Sequence, residues 1–254
     1  MGCLLEGRVA IVTGGGKGIG YGIASKMAEH GANIFITGRT ESRLQEAAKK
    51  LSAEYGVECS YAVADGCKEE EAAAAIAKCV EEFGKLDILV NNAQASKSGV
   101  PLVDQSIEDF DLSIDTGLHA AFFYMKHAYP ELKMTKGCVI NLASGAGLFG
   151  RMNQSSYAAA KEGIRGMSRV TATEWGPDGI RVNCLCPLAM TEQLIQWKEE
   201  YPESFAGIVK SIPLGRYGDP KDDIGGVVVF LASDLAQYVS GETIVAQGGS
   251  GLRP

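Results

Sequence analysis

Tyr157 and Lys161 stand four residues apart in a stretch, 155–175, whose apolar residues recur with helical periodicity, so their side chains share one helix face. A phenol with a pKa of about 10 is a poor proton carrier at neutral pH, and a neighbouring ammonium favours its ionised form. The spacing therefore predicts a tyrosine tuned by a lysine for proton exchange. Ser144 follows the apolar run 138–143, which reads as the fifth strand of a sheet. At the carboxyl edge of such a sheet its hydroxyl can hold a substrate oxygen. Ser144, Tyr157 and Lys161 are the expected catalytic residues.

A second segment with chemical meaning is Thr13-Gly14-Gly15-Gly16-Lys17-Gly18-Ile19-Gly20, between the first strand and the first helix. Glycines at 14, 18 and 20 let the chain turn tightly, let a pyrophosphate approach the backbone and let the helix pack closely on the strand. The helix N-terminal N–H groups then face the phosphates. NAD-binding units usually place an acid after the second strand to bind the ribose 2′-hydroxyl. This chain has Thr37-Gly38-Arg39 there. With no carboxylate, Arg39 and Lys17 offer charge-assisted partners to a 2′-phosphate, which predicts NADP(H). The alternative reading of Arg39 is a solvated residue at a helix start.

These residues need a scaffold that gathers several strand ends. Strand-like runs at 8–13, 33–37, 57–64, 86–90, 138–143, 180–186 and 243–247 alternate with helical periodicity at 18–30, 41–55, 68–83, 106–134, 155–175 and 220–232. Up to the sixth strand, each neighbouring pair is separated by enough chain for a crossover helix, so the sheet should be parallel. Runs such as AIV and ILV, apolar on both faces, suit a sheet covered by helices on each side. The expectation is an α/β, doubly wound Rossmann fold with a seven-stranded parallel sheet, forming one domain over 1–254. The one long irregular stretch, 187–214, has a helix-like middle from about 191 to 209 and reads as a substrate lid.

Composition narrows the function further. With 46% apolar and 22% charged residues the chain is not a disordered one. Its net charge is −7 and it has no basic block, so a nucleic-acid partner is not expected. Seven cysteines without CxxC spacing and three scattered histidines give no metal set, and the thiols read as reduced. No apolar run approaches the ~20 residues of a membrane span. The start has no secretory pattern, and Glu6 sits where a myristoylation signal wants Ser or Thr, so a cytoplasmic, unanchored protein is expected.

With Thr13-Gly14-x-x-x-Gly18-Ile19-Gly20, Asn91-Asn92-Ala93, Ser144, Tyr157-x-x-x-Lys161 and Pro187 in this order, the chain resembles a short-chain dehydrogenase/reductase over essentially its whole length. The resemblance implies hydride exchange between nicotinamide C4 and a carbinol carbon while Tyr157 exchanges the proton. It implies a cofactor-binding set of Gly14, Lys17, Gly18, Ile19, Gly20, Arg39, Asp65, Asn91, Tyr157, Lys161, Pro187, Met190 and Thr191, with Asp65 on the adenine. Three departures stand out. The family's catalytic Asn would fall in Asp115-Thr116-Gly117-Leu118, where Gly117 takes its place. Gln94 replaces the Gly of the NNAG motif and Leu188 the Gly after Pro187, while Thr191 sits one residue earlier than the usual carboxamide-binding Thr. Gly117 is expected to leave room for the water that the Asn holds, so Gly117→Asn should change activity by less than about tenfold.

The lid supplies Leu188, Met190, Leu194, Ile195, Trp197, Tyr201, Phe205, Ile208 and Ile212, a set suited to a bulky apolar ligand, unless half of them pack on the body. Gln94, Ser144, Leu188, Leu194 and Trp197 are the expected substrate contacts. NNAQAS (91–96), ASGAGLFG (143–150), SYAAAKEGIRG (156–166) and CPLAMT (186–191) are similar to bacterial hydroxysteroid dehydrogenases of the NADP-dependent 12α type, which act on bile acids. A 3-oxoacyl-carrier-protein reductase or another carbonyl reductase is the alternative, although the two Lys and four Glu of 188–212 do not offer an acidic carrier a basic surface. A regulator that senses NADPH without turnover is a third reading, supported by Gly117 alone. The resemblance also implies a homotetramer built through 106–134, 155–175 and the C-terminal segment, with GLRP (251–254) crossing to a neighbour.

Overall fold

Short apolar runs make the strands, and the structure, a computed structural model that describes residues 2–251, contains seven of them. They are β1 (Val9–Thr13), β2 (Asn33–Gly38), β3 (Cys59–Val63), β4 (Ile88–Asn91), β5 (Cys138–Leu142), β6 (Arg181–Pro187) and β7 (Thr243–Ala246). All pairings are parallel, in the order β3-β2-β1-β4-β5-β6-β7. Between them lie α1 (Gly18–Glu29), α2 (Glu41–Tyr55), α3 (Glu69–Phe83), α4 (Ile107–Ser113), α5 (Ala120–Thr135), α6 (Gly145–Phe149), α7 (Ser155–Trp175), α8 (Glu192–Glu200), α9 (Pro202–Lys210) and α10 (Gly226–Ala232). This is a single-domain, doubly wound Rossmann-like fold.

The strands are apolar on both faces because two cores need them. Ala10, Val12, Ile34, Ile36, Ile88, Val90 and Ile140 pack with Ile23 and Met27 of α1 and with Val228 and Leu231 of α10. Their strand neighbours Val9, Ile11, Phe35, Leu89 and Val139 point the other way, onto Ile76 of α3 and Met125 and Leu132 of α5. Successive residues of a strand point to opposite faces, so each run of apolar residues feeds both layers. The winding reverses between β1 and β4, and the crevice at the carboxyl ends of those strands is where such a sheet receives a ligand.

Four details differ from the sequence expectation. The stretch expected as one helix over 106–134 is interrupted by a wide, π-type turn at Ile114–His119. Thr116 supplies a reason: its hydroxyl accepts from Ala95 N and has both Leu112 O and Ala95 O within reach of its single hydrogen, tying the turn to the segment after β4. A second wide turn, Pro220–Gly225, replaces the first half of the helix expected over 220–232. The helix-like middle of the lid is two helices, broken at Tyr201 because the following Pro202 disfavours helical backbone before it. The short α6 carried too little periodicity to be read from sequence. Among the described residues no helix is long and apolar enough to cross a membrane.

Candidate active site

The carboxyl ends of β1, β2 and β4 and the segment that follows β3 surround a cavity of about 460 Å³. One wall is the glycine loop. Gly14 (φ +67) and Gly18 (φ +56) have left-handed backbone, and a Cβ on Gly20 would lie 2.5 Å from both Gly14 O and Asn92 Nδ2. No side chain caps the start of α1, so its first N–H groups remain available toward the cavity that Gly18, Ile19 and Gly20 line.

The loop is fastened from behind. Thr13 Oγ1 accepts from Asn92 N (2.9 Å) and Ala93 N (3.0 Å), and Asn92 Nδ2 donates to Thr13 O (2.8 Å). Asn91 Nδ2 donates to Asn141 Oδ1 (2.8 Å), and Asn141 Nδ2 donates to Ser168 Oγ on α7 (2.8 Å). This buried polar chain runs from the end of β4 through β5 to the helix that carries Tyr157 and Lys161.

Those two residues sit one turn apart on α7, with Lys161 Nζ 5.7 Å from the centre of the Tyr157 ring. Lys161 is 4% exposed and donates to the carbonyl of Leu142, the last residue of β5. Ser144 caps α6, its Oγ accepting from Ala146 N at 3.1 Å. Burial pushes the Lys161 ammonium down to about 8. Burial also pushes the Tyr157 phenol up, against a hydrogen bond with Ser144 and the charge of Arg151, which pull it down. In the chain by itself desolvation outweighs the neighbouring charges at the phenol, and the effect expected of the lysine is not the leading one there.

At the far end of the cavity Lys17, Arg39 and Arg43 are exposed, and none has an ion-pair partner among the described residues. Opposite them stand Asp65, Gly66 and Cys67, with Asp65 Oδ1 accepting from Cys67 N. Arg43, in the first turn of α2 and four residues beyond Arg39, is a further cation that the sequence reading did not include. Thr116 and Asn92, which also line the cavity, carried signals only in the turn and in the NNA motif.

Of the expected site residues, Gly14, Lys17, Gly18, Ile19, Gly20, Arg39, Asp65, Asn91, Gln94, Lys161 and Thr191 line this one cavity. Pro187 ends β6 beside Ala246 of β7. Leu188, Met190, Leu194 and Trp197 pack against Phe205, Ile212 and Tyr217, a separate apolar cluster within and beside the lid. The room expected above Gly117 is filled, because a Cβ there would lie 2.8–3.0 Å from the carboxamide of Gln94. An Asn at 117 would displace Gln94 instead of entering open space.

Comparison with known proteins agrees with this geometry. Residues 14–250 match the family model described as Enoyl-(Acyl carrier protein) reductase. A 12alpha-hydroxysteroid dehydrogenase of Clostridium sp. is 52% identical over 257 residues, covering 99% of each chain. A 3-oxoacyl-acyl-carrier-protein reductase of Chlamydia muridarum is 38% identical, covering 98% of this chain and 99% of its own. Among solved structures, an NAD+-bound xylitol dehydrogenase superposes with a TM-score of 0.90 at 29% identity, covering 96% of this chain and 99% of its own.

Proposed function

The chain belongs to the short-chain dehydrogenase/reductase family, and on that premise we propose that it is an NADP(H)-dependent oxidoreductase that interconverts a secondary alcohol and a ketone on a hydroxysteroid of the bile-acid type, with the 12α-hydroxyl favoured. Members of the family are oxidoreductases that use nicotinamide cofactors. The observation that carries the reading is that Lys161 lines a cavity whose glycine wall leaves no space for a side chain at Gly20, while Tyr157, one turn before it and hydrogen-bonded to Ser144, stands beside that lysine outside the cavity's own lining.

The residues present fit a dinucleotide. Gly14, Gly18, Ile19 and Gly20 would receive the pyrophosphate, Asp65 the adenine, and Asn91, Tyr157, Lys161, Pro187, Met190 and Thr191 the nicotinamide half. Lys17, Arg39 and Arg43 are cations without carboxylate partners among the described residues, and they suit a 2′-phosphate. When bound, the cofactor supplies or accepts the hydride. The chain does the rest: Ser144 Oγ holds the substrate oxygen, Tyr157 Oη takes the hydroxyl proton in oxidation and returns it in reduction, and the Lys161 ammonium favours the phenolate as it forms.

The rim supports an apolar substrate with an acidic end. Leu102, Val103, Phe149, Met152, Ile195 and Leu214 are exposed on the three segments that follow β4, β5 and β6. Gly99 N donates to Asn153 O, which fastens two of those segments together. Arg151 has no ion-pair partner among the described residues, and its charge reaches both Tyr157 and Tyr217. It suits a substrate carboxylate. Arg151→Ala should raise KM for cholate about tenfold while leaving KM for an uncharged hydroxysteroid nearly unchanged, as expected for loss of one charge-assisted contact.

The segment 187–214 serves as the lid, with Gln94, Leu188, Leu194 and Trp197 toward the substrate. We place the enzyme in the cytoplasm as a homotetramer, with exposed Phe122 and Met134 of α5 and Val170 of α7 on the helices that would meet. The expected C-terminal crossing falls at 252–254, outside the described residues, apart from Gly251. The relative that acts on an acyl-carrier substrate favours a second reading, a 3-oxoacyl-carrier-protein reductase. Absorbance at 340 nm with cholate, deoxycholate, simple alcohols and a β-ketoacyl substrate, each with NADP(H) and NAD(H), separates the two. Turnover of cholate with NADP+ is expected. Turnover restricted to the ketoacyl substrate, or a clear NADH preference, overturns the corresponding part of the reading.

A further inference from the structure

Gln94 and Gly117 compete for one space. A Cβ on Gly117 would come within 2.8 Å of Gln94 Cδ, 2.9 Å of Nε2 and 3.0 Å of Oε1, so the carboxamide is seated over the wide turn because position 117 has no side chain. Gln94 Nε2 donates to the Ser113 carbonyl at 3.4 Å. Its Oε1 is buried and has no partner among the described residues, and Asn91 Oδ1 is in the same state. Both residues line the cavity that Lys161 also lines. That buried ammonium has three N–H donors and gives one to Leu142 O. Two unmet acceptors and a cation with donors to spare thus line one cavity, and unmet polar groups of this kind are what an ordered water making about three hydrogen bonds satisfies.

We propose that Gln94 is a positioning residue: its Oε1 and Asn91 Oδ1 accept the two hydrogens of one ordered water, which in turn accepts a hydrogen bond from Lys161. The bridge steadies the buried ammonium beneath Tyr157. The titratable groups acting on Lys161 are Cys186 and Cys184 of β6, with Tyr157 one turn away on α7. None of them is a carboxylate, so the water's oxygen supplies stabilisation that no side-chain anion does. The catalytic consequence rests on the proton-exchange reading above, whereas the water itself rests on the pocket alone.

Two single variants test the bridge in different ways. Gln94→Leu keeps the bulk and removes the oxygen, while Gly117→Ala keeps the carboxamide and pushes it off its seat. With the full chain carrying 13C-labelled lysine, and Lys161→Met to assign the signal, an NMR titration should show Lys161 releasing its proton at lower pH in both variants, by about threefold or more in proton affinity. The double variant Gln94→Gly/Gly117→Asn, which moves a carboxamide across the same space, should restore the wild-type titration. In cholate turnover kcat should fall about tenfold in each single variant with the KM for NADP+ unchanged, as for loss of a group acting on the chemical step. An unchanged Lys161 titration in the variants that fold overturns the bridge, and Gly117→Ala decides should Gln94→Leu fail to fold. A wild-type chain that turns over no alcohol or ketone would overturn the functional reading instead, leaving the titration to decide the water.

Discussion

The glycine loop with α1 and the start of α8 line one cavity, yet the segments they belong to, α1 on one side and 187–214 with α8 and α9 on the other, are built in opposite ways. Seven of the 12 residues of α1 are buried, and the loop before it is held by Thr13, Asn92 and a backbone approach at Gly20 that leaves no freedom. In the lid α8 buries no residue and α9 buries only Phe205, and their apolar side chains gather in a small cluster of their own. The difference teaches how one fold divides its tasks. Dinucleotide binding and proton transfer need groups fixed to a fraction of an ångström, and the residues proposed for both sit on strand ends and on the first turns of core helices. In the proposed reading substrate choice falls to a segment held by few buried contacts, which can change without disturbing the sheet.

The sharpest test of that division is Tyr157→Phe. Removal of one hydroxyl should lower kcat by roughly 10²–10⁴-fold, with the binding of NADPH, followed by its fluorescence, unchanged. Retained turnover would mean that the rigid side does not hold the chemistry.

The buried lysine gives the next effect, and in stability instead of rate. Its pKa is about 8 folded against 10.5 ordinarily, so between those values the folded chain binds fewer protons than the unfolded one. Stability should therefore rise with pH across that window, by up to about 3 kcal/mol, and denaturant melts of Lys161→Met should lose this rise. Carbonyl reduction should fall as pH passes upward through about 8, as Lys161 loses its charge.

A smaller effect is expected at the adenosine end. Arg39→Ala should raise KM for NADPH about ten- to a hundredfold and leave KM for NADH nearly unaltered, since a charge-assisted hydrogen bond contributes about 1.5–3 kcal/mol. The smallest belongs to the lid. Phe205→Ala removes the one buried side chain of α9 from a small cluster apart from the two main cores, so it should shift the steroid KM by only about threefold and leave NADPH binding intact, reflecting a partly collapsible site. A loss of cofactor affinity in that variant would show the two regions to be coupled.

Much of this could be seen along the chain. Runs apolar on both faces predicted a covered parallel sheet, and β1, β4 and β5 are buried throughout. The i, i+4 spacing predicted that Tyr157 and Lys161 would share a face, and they do. The wide turns at 114–119 and 220–225 were not legible, because π-type widening leaves the apolar period nearly intact and depends on partners such as Ala95, which lies far along the chain. Leu188, Leu194 and Trp197 were read as substrate contacts from composition, while their packing on Phe205, Ile212 and Tyr217 emerged only once two helices were folded against each other.

Local pattern is enough to fix strands, crossovers, the glycine-rich turn after β1 and the shared helix face of Tyr157 and Lys161, because each follows from periodicity or from the backbone freedom of a few residues. Folding alone decided that Gln94 occupies the hollow left by Gly117 and that burial, more than the lysine's charge, sets the phenol of Tyr157. Both are properties of the space around a group, and that space is enclosed by segments distant in sequence, so its shape and its dielectric exist only after the sheet has brought them together.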